Sequence, residues 1–228
     1  MLRTIIFDFD GIIVDSEPII MKLTREMAAK EGMTVSEEDY YQNYLALDDR
    51  GIVEHIFTSH GRPVDHARVE ELVNWKSKVY GTIIENGLPT LPGAIDFVRK
   101  AAECYPLAIA SGSARSEIEH LLDKLGLRDV FRTITSADEC ARSKPDPEVY
   151  VKAVASMNTL PEFQASPLLA SECLAIEDAP GGIDAAHGAG IRCMGLAHSR
   201  ATENLAHADW AFHGFEEVDL TAIAKEFD

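Results

Sequence analysis

Two aspartates two residues apart, Asp8 and Asp10, close an apolar run in the stretch TIIFDFDGIIVDSE, residues 4 to 17. Like charges held that close destabilise a fold unless something compensates them. A second acidic pair, Glu177 and Asp178, ends another apolar run, CLAIED, at residues 173 to 178. Together Asp8, Asp10, Glu177 and Asp178 form an all-oxygen set suited to a hard divalent cation such as Mg²⁺, which would remove the repulsion. Ser111, followed by Gly112 in SGS (111 to 113), offers a hydroxyl and backbone N–H groups that can hold phosphate oxygens at a helix N-terminus. Lys144, in RSKPDPEVY, supplies a positive charge for carboxylate and phosphate alike. A carboxylate beside Mg²⁺ and beneath a phosphate can act as a nucleophile. A second carboxylate two residues along points another way and can shuttle protons.

Each piece alone has a plainer reading. An isolated D-x-D is ordinarily a loop or a helix cap, and a lone serine an N-cap. A lone lysine is ordinarily solvated, and Glu177 and Asp178 could simply charge the start of the next helix. What favours chemistry is position: all four clusters follow apolar runs of the kind that form buried parallel strands. Those runs are 4 to 9, 106 to 110, 131 to 136, 173 to 178 and 191 to 197, with 209 to 213 as an edge strand. Helical patterns alternate with them, such as SEIEHLLDKLG, which places Ile118, Leu121, Leu122 and Leu125 on one face and stops at Gly126. Alternation of this kind predicts an α/β fold with a parallel sheet, in which sites form at the carboxyl ends of the strands.

Residues 16 to 88 break the rhythm. They read as consecutive helices at about 17 to 31, 36 to 43, 48 to 59 and 65 to 84. The expected organisation is therefore a core of residues 1–15 and 89–228 carrying an inserted helical domain of residues 16–88.

The chain has 228 residues, enough for such a core and insert, with a formal net charge of -17. That charge argues against a nucleic-acid partner and against anionic membranes, without excluding a small anion in a local basic pocket. No run of about 18 apolar residues suggests a membrane span, and the N-terminal apolar stretch, interrupted by Asp8 and Asp10, does not resemble a signal peptide. The cysteines, Cys104, Cys140, Cys173 and Cys193, form no C-x-x-C pair. A cytoplasmic, monomeric protein with reduced thiols is expected.

The stretches FDFDGIIVDSE, IASGS, SKPDPEVY and IEDAPGGIDAA resemble, in order, the four motifs of the haloacid dehalogenase superfamily. The helical insert resembles the cap of its beta-phosphoglucomutase-like subgroup. The resemblance implies a Rossmann-like core with a helical cap, Mg²⁺ as cofactor and an aspartyl-phosphate mechanism. It implies Asp8 as nucleophile and Asp10 as general acid and base, with the Asp10 backbone carbonyl also on the metal. Asp178 and Glu177 would complete the metal site, Glu177 directly or through water. Ser111, Gly112 and Lys144 would hold the transferring phosphoryl group. Arg50 and Lys76 stand where the subgroup places substrate-contacting cap residues, although lone cations on helices are as readily solvated; Glu17, at the junction of core and cap, is a further candidate to touch substrate.

The superfamily runs several reactions. Its dehalogenases lack the second aspartate of the first motif, and its phosphonoacetaldehyde hydrolases have alanine there; Asp10 disfavours both. Beta-phosphoglucomutase keeps that aspartate but carries a histidine on the first cap helix, where this chain has Ile19 and Ile20. The expected activity is hydrolysis of a small phosphomonoester, a sugar phosphate or similar, with a phosphosugar mutase as the alternative. A receiver-like signalling domain or an inactive phosphate-binding protein is a further alternative; the first would normally be shorter and lack the insert.

Overall fold

A computed structural model describes residues 1–44, 47–197 and 205–227. The strands are β1 (Thr4–Phe7), β2 (Leu107–Ala110), β3 (Phe131–Thr135), β4 (Cys173–Glu177), β5 (Arg192–Leu196) and β6 (Trp210–Phe212). Among the described residues they form one sheet in the order β3-β2-β1-β4-β5-β6. Every neighbouring pair is parallel. The expected α/β fold with a parallel, Rossmann-like sheet is what the chain forms.

The physical reason lies in the strand sequences. Successive side chains of a strand point to opposite faces. Ile6 enters a cluster with Tyr150, Ala153 and Met157 of α7 (Glu148–Met157) and with Ile183 and Ala186 of α9 (Pro180–Gly188). Phe7, on the other face, meets Phe97 of α5 (Ala94–Ala102) and Phe131 edge-on. Helices thus cover both faces, so β1 and β4 are buried along their whole length and read as unbroken apolar runs rather than alternating ones. β6 lies at the edge and is half-exposed.

Strand order reverses between β1 and β4. From β1 the chain adds β2 and β3 on one side, then crosses to add β4, β5 and β6 on the other. Crossovers diverge at that point and leave a crevice at the carboxyl ends of β1 and β4. Asp8 and Glu177–Asp178 are the residues at those two ends.

The chain divides into two compact units, Met1–Asp15 with Pro89–Asp228, and Ser16–Leu88. The second is helical: α1 (Glu17–Lys30), α2 (Glu37–Asn43), α3 (Asp49–Ser59) and α4 (His66–Ile84). It has a core of its own, including Met27, Tyr40, Tyr44, Val53, Ile56 and Leu72. Its helix starts are written in the sequence: Ser36, Asp48 and Asp65 each accept a hydrogen bond from the backbone N–H three residues on. No described helix is long and apolar enough to cross a membrane. All four cysteines are free; Cys173 and Cys193 are buried in the sheet, whereas Cys104 is exposed.

Candidate active site

β1 ends at Phe7, and the Asp8 N–H still donates to the Ile176 carbonyl of β4 at 2.9 Å. That bond holds the Asp8 side chain at the switch point. The next residues turn sharply: Ile13 N–H donates to Phe9 O, Gly11 N–H to Val14 O, and Gly11 adopts φ 74°. A Cβ at Gly11 would lie 2.3 Å from Asp178 Oδ2, so only glycine suits both the backbone and the space.

Lys144 reaches into the same place. Its Nζ donates to Asp8 Oδ1 at 2.9 Å, to Glu177 Oε1 at 2.6 Å and to the Ala110 carbonyl at the end of β2 at 3.0 Å. The Tyr150 hydroxyl donates to Glu177 Oε1 at 2.6 Å, and its ring lies 5.2 Å from Lys144 Nζ. Glu177 Oε2 faces Gly182 in the first turn of α9, where a Cβ would stand 2.0 Å away. Glu177 Oε1 is thus held by two donors, while Oε2 occupies the space that Gly182 leaves.

The electrostatics follow from burial and crowding. Burial pushes the Asp8 carboxyl up to about 7, with Glu177 and Asp10 adding to the rise against the pull of Lys144. Burial also raises Glu177, with Asp178 adding to it. For Lys144, burial works downward, but Asp8 and Glu177 outweigh it and raise the ammonium above its ordinary range. Oxygens of Asp8, Glu177 and Asp178 lie within 4.8 Å of one another. Three carboxylates facing one ammonium leave an uncompensated negative charge, and their hard oxygens fit a divalent cation of the Mg²⁺ type.

Asp10 is turned elsewhere: its Oδ2 accepts from the Ser113 hydroxyl at 2.5 Å. Ser111 is buried; its N–H donates to the Thr135 carbonyl of β3 at 3.0 Å, and its hydroxyl oxygen accepts from the Ser113 N–H at 3.0 Å. Gly112 lies within this turn, with open space where a Cβ would be. The residues singled out in the sequence at the ends of β1, β2 and β4, together with Lys144, thus share one end of the sheet. Arg50, Lys76 and Glu17 belong to the helical unit. There, Arg50 pairs with Glu70 at 2.8 Å and Lys76, only 6% exposed, pairs with Asp49. Glu17 opens α1.

Sequence reading gave no role to Ser113, Tyr150 or Gly182, although all three lie within the quoted motifs. Tyr150 carried a signal, since a buried tyrosine hydroxyl needs a partner, but its burial follows only from the packing of α7.

A sequence model of the haloacid dehalogenase-like hydrolases matches residues 5–196. The chain belongs to that family. Among its relatives, the Validoxylamine A 7'-phosphate phosphatase of Streptomyces hygroscopicus subsp. limoneus is 26% identical over 96% of each chain. The phosphorylated carbohydrates phosphatase of Thermotoga maritima is 27% identical over 87% of each. A solved beta-phosphoglucomutase of Clostridium difficile superposes with a TM-score of 0.86 at 22% identity, covering 100% of this chain and 97% of that one, which shows the shared fold. In this haloacid dehalogenase-like hydrolase the matched region includes every site residue of the sheet unit.

Proposed function

We propose that the chain is a Mg²⁺-dependent phosphatase of small phosphorylated carbohydrates, working through an aspartyl-phosphate at Asp8. The observation that carries this reading is the buried Asp8 carboxylate, fixed by Lys144 at 2.9 Å beside Glu177 and Asp178 at the switch point. The phosphatase names of the relatives support the substrate class.

Asp8, Glu177 and Asp178, with the Asp10 backbone carbonyl, would hold the cation, which when bound neutralises the carboxylates and polarises phosphate oxygens. Ser111, the Gly112 N–H and Lys144 bind and orient the phosphoryl group. An Asp8 oxygen attacks phosphorus while the bond from phosphorus to the leaving oxygen breaks. The Asp10 carboxylic acid gives that oxygen its proton. Asp10, now a carboxylate, takes a proton from water, whose oxygen attacks the same phosphorus. The bond from phosphorus to Asp8 breaks, inorganic phosphate leaves, and both aspartates return to their starting states. Most of the barrier lowering is charge stabilisation and alignment, because the transferring group is anionic throughout.

Residues 1–15 and 89–228 act in this reading as the catalytic core. Residues 16–88 act as the cap that sets substrate choice, through Arg50, Lys76 and Glu17.

The test is phosphate release over a panel of phosphorylated carbohydrates, with wild type, Asp8→Asn and excess EDTA. Release by wild type alone in Mg²⁺ supports the reading. Undiminished release in EDTA or by Asp8→Asn refutes it. Isomerised sugar phosphate without net phosphate release would instead assign a mutase.

A further inference from the structure

The Asp10 carboxylate has one oxygen committed and one open. Oδ2 accepts from the Ser113 hydroxyl at 2.5 Å, while Oδ1 is buried with no hydrogen-bond partner among the described residues. A carboxylate would swing about its side-chain torsions unless something fixed it, and a charge-assisted O–H···O⁻ bond of this length is the strong kind.

Ser113 is itself fixed. Its N–H donates to Ser111 Oγ at 3.0 Å, a serine turn closed two residues back. Its carbonyl accepts from the Ala137 N–H at 3.1 Å, just beyond β3. Ser111 is tied in turn to Thr135 O of β3. The hydroxyl that faces Asp10 therefore stands on a turn closed on itself by one bond and pinned at two points to the end of β3.

We infer that Ser113 is a positioning residue for the general acid and base: by donating to Asp10 Oδ2, it fixes the carboxyl's orientation and leaves Oδ1 as the oxygen that carries and returns the proton. A hydroxyl donor blocks protonation of the oxygen it serves, so the transferable proton is confined to the other one. Ser111, two residues earlier, holds phosphate; Ser113 serves the proton. The inference rests on the reading of Asp10 as acid and base given above.

It has a kinetic signature that a merely structural role lacks. A proton is needed by a poor leaving group, such as a sugar alkoxide, and hardly by para-nitrophenolate. The full chain with Mg²⁺, as wild type, Ser113→Ala and Ser113→Thr, is assayed on a hexose phosphate that wild type hydrolyses and on para-nitrophenyl phosphate. Ser113→Ala is expected to lose roughly tenfold in kcat/KM on the hexose phosphate and less than about twofold on the aryl ester. Inhibition by inorganic phosphate should be unchanged, and Ser113→Thr should restore the hexose phosphate rate. Equal loss on both esters, a loss confined to KM and phosphate inhibition, no loss, or failure of threonine to rescue would each overturn the inference. Asp8→Asn, run alongside, separates the two failures. If it abolishes turnover while Ser113→Ala shows no leaving-group bias, only the role of Ser113 falls; if it stays active, the underlying reading falls.

Discussion

Replacing Lys144 by methionine removes the ammonium and keeps the length of the side chain. Its Nζ stands 2.6 Å from Glu177 Oε1 and 2.9 Å from Asp8 Oδ1, and only 15% of the side chain is exposed. At an effective dielectric of about 20, each contact carries about 6 kcal/mol of gross Coulomb attraction. Desolvating the three ions cancels much of that, and breaking a buried pair by removing one partner costs roughly 3–5 kcal/mol in practice. For a protein of this size that corresponds to a fall in Tm of roughly 6–20 °C. The cost must depend on pH. Asp8 is pushed up to about 7, by burial first, and without Lys144 it rises further. At low pH the orphaned carboxyls take up protons and become neutral, so the penalty shrinks; at high pH they are charged and it is largest. Thermal unfolding of wild type and Lys144→Met in EDTA at pH 5.5 and pH 8 measures this directly. The gap in Tm should be several-fold wider at pH 8. A gap that is the same at both pH values, or absent, refutes the picture of one ammonium compensating a crowd of buried carboxylates.

Three further outcomes follow from the same geometry. In wild type without metal, Asp8 binds a proton more tightly folded than unfolded, so its contribution is full below pH 3.8 and is lost as pH rises through about 7. The slope is up to about 1.4 kcal/mol per pH unit per proton, and Mg²⁺ should flatten it; a stability that climbs from pH 6 to 8 in EDTA contradicts this. Gly182→Ala places a Cβ 2.0 Å from Glu177 Oε2, so Glu177 must move and the Tm gain on adding Mg²⁺ should largely vanish, whereas an unchanged gain would mean that Glu177 is not needed for the cation. Tyr150→Phe strips a donor from buried Glu177 and should cost about 1–3 kcal/mol in urea unfolding, a prediction that fails if the variant is as stable as wild type.

Much of the scaffold was legible because its signals are local. TIIF and CLAIE read as strands since both faces of the sheet are covered, and Gly126 ends α6 (Arg115–Leu125) in the left-handed conformation that glycine favours. The strand ends were legible less finely: β1 stops at Phe7, two residues short of the expected run, because the Asp10–Val14 turn begins there. The short helices α8 (Pro161–Gln164) and α10 (Leu220–Lys225) escaped because fewer than two turns carry no periodicity. Asp8, Asp10, Glu177, Asp178 and Ser111 stood out by residue type at strand ends, and Lys144 by type in the segment that follows β3. Ser113 did not, since nothing nearby in sequence announces a hydrogen bond to a residue 103 positions away. Gly182 did not either; only the packing of β4 against α9 shows that Glu177 needs the space. The partners of Arg50 and Lys76 were likewise set by how α3 meets α4.

The central claim is that Asp8 carries the phosphoryl group. Asp10→Asn removes the base that activates water, so a phosphoenzyme formed on Asp8 should outlive the mixing time. Intact-mass and peptide-level mass spectrometry of Asp10→Asn, quenched in acid after exposure to Mg²⁺ and para-nitrophenyl phosphate, whose leaving group hardly needs the proton that the variant lacks, reads this directly. The account predicts a gain of one phosphoryl group, localised to the peptide holding Asp8 and absent when Asp8→Asn is added. Turnover by wild type with no phosphorylated Asp8 trapped in the variant, or with the label on another residue, would contradict it.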